Sequence, residues 1–320
     1  MTVCGKMVTW ALIGATGWCG LVLAVPEARA QAKAQPKKAL SEDRTLVTKD
    51  GVPIRCTYFP SGAGKDSAVV VLLHGKRGNR LVWQTGVGNY PGYAQALQQN
   101  GFAVVTVDLR GHGESVPGSA GVPAANKKAD EIKLTPPITQ AMVRQDLEAV
   151  KRFLLEEHEK QQLNINKLAI VGADFSTHVA LSYAVLDWSK LPYDDAPVEA
   201  QKTPRGKDVR ALILLSPDAT VPGLPAADGA ALIRTLKMPT LIAVGNKDSQ
   251  DRGAAKKLDE LIRPKKDEEY VTYVEYDTKF RGTDLLNKDR KLEGDMYKFL
   301  DEYVKKANSE WRTRKSVLTD

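Results

Sequence analysis

Cysteine is scarce in this chain. Only Cys4, Cys19 and Cys56 occur among 320 residues, and the first two fall in an apolar N-terminal segment. If that segment is removed, Cys56 is left alone and cannot form an internal disulfide. The fold must therefore be held together by its apolar core, which a hydrophobic content of 42% is large enough to supply.

Histidine is nearly as scarce, with four in the chain and none after His178. No group of histidines and cysteines has metal-ligand spacing, and no glycine-rich phosphate-binding loop is present, so we expect neither a metal nor a cofactor. The net charge of +7 comes from Lys and Arg scattered among Asp and Glu. That scatter favours a solvated surface and argues against a nucleic-acid partner.

The first thirty residues have the layout of a secretory signal. Lys6 gives a positive start, residues 7–25 are apolar, and Ala-Arg-Ala at 28–30 offers a cleavage site before Gln31. The alternative is an uncleaved membrane anchor, but glycines and Pro26 interrupt the apolar stretch. We therefore expect export to the periplasm or the cell exterior, with no stable membrane anchor after cleavage.

The remaining chain divides into three predicted parts. Residues 31–43 are rich in Ala, Gln, Lys and Pro and predict a flexible linker. Residues 44–308 hold the apolar periodicity of a globular domain, and residues 309–320 are expected to form a basic, frayed tail. Within the domain, residues 188–207 predict a surface excursion, and residues 216–235 are too short for a helical cap.

The domain contains six short apolar runs, bounded by turn residues and mostly separated by helical stretches. Strands that are buried on both faces of a parallel sheet have this pattern. A hairpin precedes them, because Asp50 and Gly51 between two strand-like stretches indicate a two-residue turn. The six runs are residues 68–73, 103–107, 168–171, 211–215, 240–244 and 271–276. Apolar residues recur at helical spacing over 138–154 and 294–306. Strands and helices together predict an α/β fold, with a mostly parallel open sheet covered by helices on both faces.

Three segments carry recognisable motifs. Residues 69–75 are an apolar strand ending in His-Gly, residues 108–115 spell Asp-Leu-Arg-Gly-His-Gly-Glu-Ser, and residues 168–177 are a strand, a tight turn and a helix start. In this order they resemble the α/β-hydrolase superfamily, nearest its serine aminopeptidase and monoacylglycerol-lipase branch. The resemblance covers most of the chain after the signal and implies the α/β-hydrolase fold with little or no cap domain.

The resemblance also implies where a catalytic site would lie. His74, Gly75 and Lys76 form the oxyanion loop, in which the backbone N–H of Lys76 would face a substrate. The family's nucleophile motif is Gly-x-Ser-x-Gly, and aligning Gly172 puts Asp174 at the nucleophile position with Phe175 after it. Ser176 is a weaker alternative, because a shift of two residues would lose the Gly172 match.

The other two members of the family's triad are unequally represented. Asp248 stands at the usual place of the acid, where it could also simply cap the next helix. The base is expected after residues 271–276, where Lys279 and Arg281 occur and histidine does not. A general base typically contributes roughly 10²–10⁴ in rate. Without one, a covalent ester on Asp174 would have nothing to release it.

Two classes of function stay open from the sequence. In the first, the triad is degenerate and the exported protein either binds a small-molecule ligand or a partner in its cleft without hydrolysis or is structural. In the second, Asp174 is the nucleophile of an active hydrolase of an ester, amide, epoxide or carbon–halogen bond, as in the haloalkane dehalogenases and epoxide hydrolases of the superfamily. That enzyme would need His74 or His112 as a displaced base.

The two basic residues in the loop after residues 271–276 bear on the choice between binding and hydrolysis. A salt bridge from Asp174 or Asp248 to Lys279 or Arg281 would stabilise the site and disable hydrolysis. Both basic side chains could equally point into water. A third reading is an interaction module that uses the 188–207 excursion.

Overall fold

The computed structural model describes residues 40–116, 132–263, 269–288 and 290–318. The predicted signal and most of the predicted linker lie outside these ranges. The described residues contain one sheet, whose strands are β1 Glu42–Val47, β2 Pro53–Phe59, β3 Val69–Leu73, β4 Ala103–Val107, β5 Leu168–Ala173, β6 Val209–Leu215, β7 Thr240–Gly245 and β8 Val271–Tyr276. Their spatial order is β1-β2-β4-β3-β5-β6-β7-β8.

The sheet has the predicted mixed character. β1 pairs with β2 and β2 with β4 in antiparallel fashion, and every pairing from β4 to β8 is parallel. Successive residues of β3 alternate between two apolar clusters on opposite faces, as expected for a strand buried on both sides. All six predicted apolar runs coincide with parallel strands, so the predicted fold class is confirmed.

Helices cover both faces of this sheet. Their bounds are α1 Tyr93–Gln99, α2 Pro136–Ala141, α3 Leu147–Glu159, α4 Ser176–Ser189, α5 Ala226–Leu236, α6 Ala254–Ile262 and α7 Arg290–Leu300. The apolar sides of α3 to α6 pack on one face, and those of α1 and α7 on the other. A π-helical turn, Met142–Asp146, joins α2 to α3, and a second, Asp301–Lys305, follows α7.

The first hairpin differs from its prediction in one detail. Thr48 donates its backbone N–H to the carbonyl of Val52 at 3.0 Å, so the loop has three residues instead of two. Gly51 ends that loop with a φ of 79°, a left-handed conformation that glycine adopts without steric cost. Three-residue hairpin loops commonly place glycine at this position. β1 also begins at Glu42, inside the predicted linker.

The prediction of a frayed C-terminal tail is wrong for the residues described. The ring of Trp311 stacks on His158 with 4.9 Å between centroids, and the Arg314 side chain is only 2% exposed beside Asp208. The tail therefore packs against the domain. In the sequence, these basic residues look like a solvated surface segment. Asp208, which binds the Arg314 side chain, lies far from it along the chain, so the pairing is not visible there.

The predicted excursion is irregular chain from residue 190 onward, apart from one short turn at Glu199–Gln201, while its first two predicted residues, 188 and 189, still belong to α4. α5 falls largely within residues 216–235, where it is the connection between β6 and β7. Across the described ranges, no helix is long and apolar enough to cross a membrane.

Close packing at the end of β5 gives a test of the fold. A Cβ added to Gly172 would lie 2.6 Å from the Ser176 carbonyl oxygen, so α4 would have to move. We expect Gly172→Ala to lower the free energy of unfolding by about 1–3 kcal/mol, the usual cost of overpacking. Urea unfolding measures it. The matched control is Gly62→Ala, because a Cβ there meets nothing within 4 Å; equal losses in both variants would contradict the prediction.

Candidate functional site

Asp174 lies on the tight turn between β5 and α4. Its φ is 51°, in the left-handed region that non-glycine residues rarely adopt. The turn is fixed by the Asp174 N–H, which donates to the Leu215 carbonyl at 3.0 Å, and by Thr177, whose hydroxyl donates to the Asp174 carbonyl at 2.6 Å. The turn presents the Asp174 side chain at the carboxyl end of the parallel strands, with 16% of its surface exposed.

The Asp174 carboxylate is enclosed by two glycines. A Cβ on Gly75 would lie 2.1 Å from Oδ2, and a Cβ on Gly282 would lie 2.3 Å from Oδ1. Oδ2 accepts the backbone N–H of Lys76 at 3.2 Å. The amide that the sequence assigned to the oxyanion loop thus binds the side chain at the nucleophile position.

Arg281 brings the remaining acidic side chains together. Its Nη1 donates to Asp248 Oδ2 at 2.8 Å, and its Nη2 donates to Asp218 Oδ1 at 2.6 Å and to the Ser216 carbonyl at 3.0 Å. Its Nε lies 3.3 Å from Asp174 Oδ1, which is an ion-pair distance. That oxygen is buried without a well-directed hydrogen bond from any described residue. One guanidinium therefore contacts three carboxylates.

Of the two basic residues predicted for this loop, only Arg281 enters the site. Its side chain is 14% exposed, whereas Lys279 is exposed at the surface. Asp248 is 3% exposed and has two contacts, since its Oδ1 also accepts the N–H of Gln250 at 2.8 Å. The capping alternative is wrong, because α6 begins after Gly253 without a side-chain cap, whereas Asp248 binds an amide of the preceding turn and Arg281 at the triad-acid position.

Asp218 belongs to the site, and the sequence analysis did not select it. It follows β6 by three residues, and β6 lies beside β5 in the sheet. The carboxyl ends of neighbouring parallel strands meet at one edge, where ligands bind in open α/β sheets. An acid just beyond the end of β6 was therefore a usable signal. Gly282, which makes room for Asp174, was also missed.

Negative charge is in excess in this cluster. Burial raises the pKa of Asp174 to about 6, the neighbouring Arg281 lowers it, and Asp218 raises it again. Arg281 must share one positive charge among three acids, so it does not offset the desolvation of Asp174. The same three acids raise the pKa of Arg281 despite its burial.

The two motif histidines serve the loop structure. His74 Nε2 accepts the Leu109 N–H at 3.2 Å and its Nδ1 lies 2.8 Å from the Gly75 carbonyl, so both ring nitrogens are in use. His112 stacks on Phe175 with 5.4 Å between centroids. Burial lowers the pKa of each imidazole to about 4. In the described part of the chain, neither histidine hydrogen-bonds to Asp174.

His178 lies one turn after Asp174 and faces the protein interior. Its ring nitrogens lie 2.9 Å from the Leu224 carbonyl and 2.8 Å from the Asp218 carbonyl. It therefore holds both ends of the loop that follows β6.

A groove opens beside the cluster. Its volume is about 430 Å³, and its lining is apolar at Ile132, Leu134, Val221 and Pro222, and polar at Lys76, Lys133, Asp218 and Thr220. Asp218 is 30% exposed and belongs both to the groove and to the Arg281 cluster. A ligand in the groove would thus contact the cluster directly. No group of three or more potential metal ligands is found among the described residues.

The strand order, the left-handed turn after β5 and the loop amide facing it define an α/β-hydrolase-fold protein. Comparison with family models agrees, because residues 70–295 match the alpha/beta hydrolase family. The match spans more than half of the chain, and the chain belongs to this family. No curated protein matches the sequence.

Solved structures show the same fold at low identity. A dienelactone hydrolase from Anabaena variabilis is 14% identical, with a TM-score of 0.53 over 83% of this chain and 100% of that one. An esterase from Pyrococcus furiosus is 14% identical, with a TM-score of 0.55 over 82% and 91%. An acylaminoacyl peptidase from Pyrococcus horikoshii is 15% identical, with a TM-score of 0.56 over 87% of this chain and 44% of that one. These likenesses concern the fold.

The raised pKa of Asp174 predicts a change of stability with pH. Because the pKa of Asp174 is higher in the folded state, ionisation of this carboxyl lowers the free energy of unfolding. This loss is absent below the ordinary pKa of 3.8 and complete above about pH 6. Asp174→Asn removes this cost and keeps an acceptor for the Lys76 N–H. We expect the free energy of unfolding of the variant to exceed that of the parent by up to about 3 kcal/mol at pH 7, and this difference to vanish towards pH 4.

Urea unfolding between pH 4 and pH 8 measures the effect. The exposed residue Asp228 supplies the control, Asp228→Asn, which should follow the parent curve. A constant difference between Asp174→Asn and the parent over this pH range would contradict the prediction.

Proposed function

We propose that this chain is an exported α/β-hydrolase homologue that binds a small ligand in the groove beside Asp218 without hydrolysing it. The observation that carries the proposal is the position of Arg281. It lies in the loop where the family's base is expected, and it pairs with the acids at the nucleophile and triad-acid positions.

Arg281 cannot replace the missing base. A guanidinium has no free lone pair and stays protonated in proteins. Its acidic neighbours raise its pKa further. Water near Asp174 would therefore find no proton acceptor in Arg281, and an ester formed on Asp174 would not be released by the usual route.

The Asp174 carboxylate is also held in place. The Lys76 N–H binds Oδ2, so the amide that would stabilise an oxyanion is already occupied. Gly75 and Gly282 leave room for the carboxylate at van der Waals range on both sides. This fit favours a site in which Asp174 and Arg281 form a fixed charged wall, with Gly282 leaving space for the carboxylate.

The groove supports a binding role. Its apolar residues offer a surface for the carbon skeleton of a ligand, and Asp218 and the two lysines offer polar contacts. A ligand with an apolar body and at least one polar group fits this lining.

The active hydrolase with Asp174 as nucleophile is the second candidate. The left-handed φ of Asp174 favours it, because that strained turn is how the family presents its nucleophile. The candidate needs a base other than Arg281, and both nearby histidines already support loop geometry.

Turnover decides between the two candidates. The protein from Gln31 onward is incubated with activated esters, aminoacyl anilides, epoxides and haloalkanes, beside Asp174→Ala. We expect no turnover above the Asp174→Ala background. Activity that disappears in Asp174→Ala would refute the proposal and establish the hydrolase, with its reaction class named by the substrate.

Two substitutions test whether positions 174 and 281 are the reason that hydrolysis is absent. Asp174→Ser supplies a nucleophile and Arg281→His supplies a base beside Asp248. If these two positions alone disable hydrolysis, ester turnover should arise in the double variant and in neither single variant. Equal activity in either single variant would argue against the assigned roles.

Export is the second part of the proposal and rests on the N-terminal segment. Cleavage after Ala30 should give a product that begins at Gln31. N-terminal sequencing of the chain recovered outside the cytoplasm tests this, with Ala30→Arg as a control that should block cleavage. A full-length chain retained in the cells would contradict it.

A further inference from the structure

The last described residues, 309–318, form a C-terminal strap that crosses the surface of the domain. The side-chain amides of Asn164 and Asn166 donate to the carbonyls of Ser309 at 2.8 Å and Glu310 at 3.0 Å. Trp311 donates its indole N–H to the His158 carbonyl at 3.1 Å. The first residues of the strap are thus bound by the end of α3 and by the connection between α3 and β5.

Arg314 carries the strap into a buried ionic cluster. Its guanidinium binds both carboxylate oxygens of Asp208, with Nη2 at 3.0 Å from Oδ2. Lys151 binds Asp208 as well and lies 2.7 Å from Asp187. All four side chains are 3% exposed or less. Two cations balance two carboxylates, and Arg314 supplies one of the two positive charges.

The same guanidinium fixes residues 190–208, the excursion between α4 and β6. Arg314 Nε donates to the Pro204 carbonyl at 2.9 Å, and Nη2 donates to the Gly206 carbonyl at 3.3 Å. Ser316 of the strap hydrogen-bonds to Asp195 within the excursion. Strap and excursion therefore share several polar contacts.

The excursion has little apolar burial of its own. Its Leu191 is 78% exposed and its Val198 is 51% exposed. Segments with few buried apolar contacts open at low free energy unless other bonds hold them. Without Arg314, Asp208 would keep only Lys151, which it shares with Asp187. A buried charge left without a full partner is strongly destabilising, and opening the excursion would return Asp208 to water.

We propose that the C-terminal strap is a latch for the excursion: docking of Arg314 completes the buried cluster and closes residues 190–208, and release of the strap opens them while the sheet stays folded. The residues that line the ligand groove belong neither to the strap nor to the excursion. It makes the excursion a segment whose order depends on the end of the chain.

The test is hydrogen exchange of the full chain, read by mass spectrometry, in Arg314→Met. We expect amides in residues 190–208 to exchange at least tenfold faster, and those of β3 and β5 to keep the parent rate. Arg312→Met is the matched control, because that neighbouring side chain is exposed and its variant should not change the excursion.

A second substitution identifies the charge as the cause. Asp208→Asn in the Arg314→Met background removes the unpaired carboxylate and should restore part of the protection. Arg314→Lys keeps the charge but cannot reach Asp208 and both carbonyls together, so it should give a smaller increase than Arg314→Met. An unchanged excursion in Arg314→Met, or faster exchange spread evenly over the sheet, would overturn the proposal.

Discussion

The guanidinium of Arg281 holds the carboxyl end of this sheet together. It comes from the loop after β8 and contacts Asp174 after β5, Asp218 and the Ser216 carbonyl after β6, and Asp248 after β7. The planar fork of arginine presents donors in several directions, which allows this many acceptors at once. A lysine ammonium could not span the same set.

The contacts of Arg281 also affect the chemistry that the site can perform. In this fold the loops after the strands carry the nucleophile, the base that accepts its proton and the acid that orients the base. Here those positions are joined by ion pairs, and the Lys76 N–H closes the arrangement by binding Asp174. Arg281 and the Lys76 N–H thus hold Asp174 and Asp248 in place, although Asp174 Oδ1 keeps no well-directed hydrogen bond. These contacts are the structural support for the proposed binding role.

Much of this was predictable from the sequence, and the limits have physical causes. The apolar runs identified the parallel strands because most of their positions are buried on both faces of the sheet. The family's motif placed Asp174 through Gly172, and the structure explains that glycine, since a Cβ there would clash with the start of α4. The choice between Lys279 and Arg281 could not be made, since two basic residues in one loop differ only in the direction of their side chains. The strap was mistaken for a solvated tail because Asp208 lies 106 residues from Arg314.

The two ionic clusters differ in a way that separates a structural role from a functional one. Around Arg314 two cations meet two carboxylates with almost no exposure, so the charge is balanced and the cluster can serve as a closure. Around Arg281 three carboxylates meet one cation beside a groove, and the pKa of Asp174 is raised because burial disfavours its charge and Arg281, shared with two other acids, does not offset that cost. Perturbed ionisation in a cleft is typical of sites that act on ligands. The unbalanced cluster keeps negative charge at the edge of the groove, where a polar group of a bound ligand can offset it.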